Sequence, residues 1–80
     1  MVTPEQIEAW IRAGLACAHL EVRGDGHHFE ALVVSPEFEG LMPVARHQRV
    51  YAALGERMQS DIHALSMRTL TPAEWAAQKG

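Results

Sequence analysis

The chain carries a single cysteine, Cys17, among its 80 residues. An internal disulfide is therefore excluded, and a reducing cytoplasm fits that count. Aromatic residues make up only 6%, too few for a platform on which nucleic-acid bases could stack. Basic residues are also short, because seven Lys and Arg against ten Asp and Glu leave a net charge of −3. Dedicated nucleic-acid binders usually carry a basic domain or face, so that class starts at a disadvantage. No apolar run approaches the roughly 20 residues needed to span a bilayer. Met1-Val2-Thr3-Pro4-Glu5 lacks the basic start and apolar middle of a signal peptide. The expectation is a cytosolic protein with no membrane partner.

What is present is enough apolar material for one packed core. Hydrophobic residues account for 48% of the chain, so a single domain over residues 1–80 is expected and disorder is not. Thr3-Pro4-Glu5-Gln6 opens a helix: Thr3 can cap it, Pro4 has the φ of a first helical position, and Gln6 can reach back to the cap. Ile7, Trp10, Ile11 and Leu15 form one apolar face, and Gly14 weakens the helix near its end. Cys17 in the following connection is expected to be a small buried thiol. His19-Leu20-Glu21-Val22-Arg23 alternates as a half-buried strand does. Gly24-Asp25-Gly26 is a turn, with a glycine on each side of Asp25 to allow positive φ. A second strand runs from about His28 to Ser35, apolar on both faces at Ala31-Leu32-Val33-Val34. These two strands make an antiparallel hairpin.

Ser35-Pro36-Glu37 starts a short helical turn that stops at Gly40. The main helix is expected from about Pro43 to Gln59, with Val44, His47, Tyr51, Leu54 and Met58 as its inward stripe and Arg46, Arg49 and Arg57 on the opposite side. Asp61 to Leu70 makes a third strand, and Thr71 with Glu74 has capping-box spacing for a last helix that Trp75 would dock. The order is α-β-β-α-α-β-α, an α+β fold with a three-stranded mixed sheet covered by helices. The long crossover allows strands two and three to run parallel.

Val33-Val34-Ser35-x-x-Phe38-x-Gly40, Arg46-His47-Gln48-x-Val50-Tyr51, His63-Ala64-Leu65-Ser66 and Thr69-x-Thr71-Pro72-x-x-Trp75 resemble the BolA family over roughly residues 4 to 76. The Gly24-Asp25-Gly26-x-His28-Phe29 turn is most similar to its short bacterial, IbaG-like branch. The resemblance implies a fold similar to the type II KH domain. It also implies a monothiol glutaredoxin as partner, sharing a [2Fe-2S] cluster to which glutathione supplies one thiolate. Family members are also known as DNA-binding transcriptional regulators. The family's histidine ligand at the start of the third strand corresponds to His63. Its second ligand lies in the loop between the first two strands. There the Cys-type position falls on Asp25, and His27 and His28 are the nearest nitrogen donors.

Imidazole can replace thiolate on one iron of a [2Fe-2S] centre. It ligates only when neutral, so assembly should weaken as pH falls toward about 6.5. The bland reading of His63 is a strand residue bonded to a neighbouring backbone group, and that of His27 and His28 is a solvated turn. Alternation sends the latter two to opposite faces, so one of them is the expected ligand and both stay candidates. His47 is expected as a packed histidine at the core edge. Arg46 and Arg49 are either solvated charges or a contact surface for a partner or for phosphates. The backbone clamp of nucleic-acid-binding KH domains, Gly-x-x-Gly, is missing from Phe38-Glu39-Gly40-Leu41-Met42-Pro43. No nucleophile–base pairing is visible, so an enzyme is not expected. The function expected is an iron–sulfur trafficking or sensing adaptor, metal-free and monomeric when alone. A DNA-binding regulator is the alternative.

Overall fold

A computed structural model describes residues 1–79. Its elements are α1 (Pro4–Gly14), β1 (His19–Gly24), β2 (His28–Val34), a 3-10 turn (Pro36–Phe38), α2 (Pro43–Leu54), α3 (Arg57–Ser60), β3 (Ala64–Leu70) and α4 (Pro72–Lys79). The sheet order is β1-β2-β3, with β1 antiparallel and β3 parallel to β2. The expected mixed sheet is therefore the one formed.

Both capping boxes close as expected. Thr3 Oγ1 accepts the Gln6 N–H while Gln6 Oε1 accepts the Thr3 N–H. At the start of α4, Thr71 Oγ1 accepts from the Glu74 N–H at 3.1 Å, and Glu74 Oε1 accepts from the Thr71 N–H at 2.8 Å. Each exchange satisfies two helix-terminal donors that would otherwise be orphaned.

Between the sheet and the helices lies one core of Ile7, Ile11, Leu15, Leu20, Phe29, Ala31, Val33, Phe38, Val50, Leu54 and Ile62. Alternation along β2 sends Phe29, Ala31 and Val33 to the helix side. The same alternation leaves Glu21, Glu30 and Arg68 exposed on the other face. One end of that second face is covered by α4, whose Trp75 stacks on His19 with ring centroids 4.9 Å apart. Gly14 has a packing role. A Cβ there would lie 2.9 Å from Ala53 Cα, so its absence lets α1 and α2 approach closely.

Four expectations are corrected. The main helix ends at Leu54 because Gly55 adopts φ 62°, and residues 57–60 form the separate α3. The inward stripe of α2 is rotated: Val50 and Leu54 are fully buried, whereas Val44 is 69% and Tyr51 41% exposed. Only Gly26 in the hairpin turn has positive φ. Gly24 is required for a different reason, since a Cβ there would strike the His28 carbonyl and the Phe29 ring. Cys17 is half-buried, its Sγ donating to the Leu15 carbonyl oxygen, and burial raises its pKa despite the opposing charge of Arg12.

Arg46 explains part of the rotated stripe. Its guanidinium is only 13% exposed and donates to Leu41 O, Thr69 O and both carboxylate oxygens of Glu74, tying α2 to the β3–α4 junction. These bonds, Arg46 first and the Thr71 N–H second, hold the Glu74 carboxyl at about 2, against an ordinary value near 4.5. A carboxyl lowered in the folded state stabilises above its unfolded pKa and loses that contribution as pH falls through the folded one. The Glu74 contribution is thus complete above pH about 4.5 and is lost as pH falls toward about 2. Wild-type stability, measured by urea unfolding followed by circular dichroism at a series of pH values, is expected to decline as pH falls from about 4.5 toward about 2. Glu74→Gln is expected to be less stable at neutral pH and flatter across that acid window.

Candidate metal-ligand rim

The parallel register pairs His28 with Ala64. It follows that the residue preceding each strand, His27 on one side and His63 on the other, comes to the same rim of the sheet. Their rings lie 6.2 Å apart between centroids and nearly perpendicular, at 87°. Both side chains are exposed. His28 belongs to β2 itself, where alternation places it with Glu30 on the non-helical face. The structure therefore brings His27, rather than His28, together with His63.

Each histidine is held by an anchored neighbour. On the hairpin side, Asp25 Oδ1 accepts the backbone N–H groups of His27 and His28, each at 2.9 Å, and the Asp25 N–H donates to His28 O at 3.2 Å. This is an Asx-type turn, in which a short carboxylate substitutes for a backbone acceptor. The bonds from His28 and then His27 lower the Asp25 pKa. On the other side, the N–H groups of Asp61 and Ile62, just past the end of α3, both donate to the carbonyl oxygen of Arg57, its first residue. Ile62 is 3% exposed and plugs the core one residue before His63. A polar cleft of about 220 Å³, lined by residues 58–63, opens beside the His63 ring.

Other expected site residues lie elsewhere. Arg46 is committed to the bonds described above. Arg49 remains about half exposed, with one bond to Glu37 at 3.3 Å. Arg57 lies 4.6 Å over the ring of Trp10. His47 is partly buried on α2, as expected for a core-edge residue. Cys17 precedes β1, at the far end of β2 from His28, roughly 20 Å along the strand. The role of Asp25 in the turn was missed from sequence, although an Asp two and three residues ahead of paired N–H groups is its usual signature. Among the described residues, no group of three or more His, Cys, Asp or Glu side chains is arranged to hold a metal ion. Nor is any described helix long and apolar enough to cross a membrane.

Two exposed imidazoles thus face each other at one rim of a small α+β scaffold. The chain belongs to the BolA-like protein family, whose profile matches residues 4–74. A bolA protein homologue from Coxiella burnetii has the same fold, with a TM-score of 0.83, 53% identity and coverage of 95% of this chain and 99% of that one. Acid stress protein IbaG of Escherichia coli (strain K12) is 36% identical over 75 residues, covering 92% of this chain and 89% of that protein, in accord with the short bacterial branch. The DNA-binding transcriptional regulator BolA of Haemophilus influenzae is 43% identical over 60 residues, 75% of this chain and 58% of that protein. The chain spans about half the length of several other curated relatives it matches.

Proposed function

We propose that this protein is an iron–sulfur adaptor that binds a monothiol glutaredoxin and receives or senses its [2Fe-2S] cluster through His63 and His27. The pairing of those two rings at one exposed rim is the observation that supports it. A cluster of this kind needs four terminal ligands, and imidazole is an accepted donor on one iron. Metal–nitrogen bonds of about 2.1 Å put two imidazoles on one tetrahedral ion with ring centres roughly 5 Å apart. The observed 6.2 Å is a small side-chain adjustment away. Two imidazoles leave two positions, which the glutaredoxin cysteine and the glutathione thiolate would fill. The cluster is then cargo, held between two proteins.

A second reading, DNA binding, follows the name of the Haemophilus relative. Arg46 would serve it poorly because its guanidinium is already engaged, which leaves Arg49 on α2. One set of titrations separates the two. Adding the protein to cluster-loaded glutaredoxin is expected to change the visible absorption and circular dichroism and to saturate at one protein per cluster. A spectrum identical to that of the glutaredoxin alone would remove the adaptor reading. Duplex DNA titrated at low and moderate salt is expected to bind weakly, whereas a steep salt slope that Arg49→Ala reduces would favour the regulator instead.

A further inference from the structure

We infer that Asp25 is the positioning residue for the cluster site, fixing His27 toward His63 without itself ligating; this inference rests on the adaptor reading above. One oxygen, Asp25 Oδ1, takes the N–H of both His27 and His28. That shared acceptor fixes two consecutive peptide planes, and with them the directions of the two side chains. Alternation does the rest, sending His28 to the open sheet face and His27 to the rim where His63 waits. Gly26, at φ 99°, supplies the backbone bend that lets the carboxylate fold back over the turn. The carboxylate is thus engaged with its own loop.

The two roles open to this position ask different things of the side chain. Orienting the turn uses Oδ1, which accepts from the His27 and His28 backbone and which an amide oxygen can replace, whereas ligation would have to use the carboxylate's other oxygen, which an amide lacks. Residues that orient a ligand typically change metal affinity about 10- to 100-fold when removed, even though they touch no metal. The orienting group is an acceptor oxygen, and its charge is incidental. Asparagine keeps such an oxygen, serine keeps a weaker one on a shorter arm, and alanine has none.

The test compares Asp25→Ala, Asp25→Ser and Asp25→Asn in the cluster titration with glutaredoxin, with wild type and His63→Ala alongside. Asp25→Ala is expected to weaken cluster uptake about 10- to 100-fold. Asp25→Asn should return to within about threefold of wild type with an unchanged spectrum, and Asp25→Ser should fall between. A ring-to-ring nuclear Overhauser contact between His27 and His63 in the protein alone gives a second readout. It should persist in Asp25→Asn and vanish in Asp25→Ala, while the Phe29 and Val33 core signals stay in place. If Asp25→Ala takes up the cluster like wild type, or if Asp25→Asn fails as badly as Asp25→Ala, the positioning role is wrong. Should wild type itself take up no cluster, the adaptor reading fails. The ring contact would still decide whether Asp25 orients His27.

Discussion

Replacing His63 by alanine is expected to erase the spectrum of the mixed cluster complex while leaving the fold unchanged. The side chain is exposed, it takes part in none of the side-chain hydrogen bonds among the described residues, and its ring stands edge-on to that of His27. Substitutions at such positions usually change stability by less than about 0.5 kcal/mol. The functional loss has a different cause. On the proposed reading, removing one of two imidazoles would take a ligand from the shared cluster, and uptake is expected to fall by more than about 100-fold, beyond what loss of an orienting neighbour causes. His27→Ala should behave similarly, and His28→Ala should not, because His28 is turned to the other sheet face. The comparison is made by visible circular dichroism at matched glutaredoxin concentration, with thermal melts as the control for folding. Equal losses at His27 and His28 would mean that the rim pairing is not what matters.

The second large effect is expected at Phe29. It is 1% exposed, one of the largest fully buried side chains, and it follows directly on His28 at the start of β2. Its ring fills the space that Gly24 leaves open, so on that side no Cβ is available to collapse into the gap. Phe29→Ala is expected to cost about 3–5 kcal/mol from lost burial and the cavity left behind. In a domain of this size each kcal/mol moves the melting temperature by roughly 4–8 °C, so the midpoint should fall by about 12–40 °C. A typical small domain has only about 5–15 kcal/mol in hand, so the loss is a large share of the total stability. Urea unfolding checks this, and a loss below about 1 kcal/mol would show that the ring is not a core anchor.

Local chemistry was the legible part of this chain. The capping boxes at Thr3–Gln6 and Thr71–Glu74, the hairpin around Asp25 and the buried strand at Ala31–Val34 all follow from residues a few positions apart. The parallel pairing of β2 with β3 was legible from the length of the crossover. What the sequence could not supply were facts set by non-local partners. The stripe on α2 was misplaced because hydrophobic periodicity assigns charged residues outward, whereas Arg46 turns inward to Glu74, 28 positions away. Periodicity also ran through Gly55, where the backbone turns and Met58 passes to another helix. The choice between His27 and His28 depends on the β2–β3 register, since a shift of one residue would exchange the faces of the two rings. Asp25 differs, since its bonds to the His27 and His28 N–H groups are local, and only their consequence for His63 depends on the register.

The central claim is that this chain contributes two imidazoles to a cluster shared with a glutaredoxin. Its most direct test is pulsed electron paramagnetic resonance on the reduced mixed complex, prepared with ¹⁵N-histidine in this chain and unlabelled glutaredoxin. Two strongly coupled ¹⁵N nuclei are expected, with one lost in His27→Ala and no change in His28→Ala. A reduced cluster that shows no ¹⁵N coupling from this chain would contradict the claim.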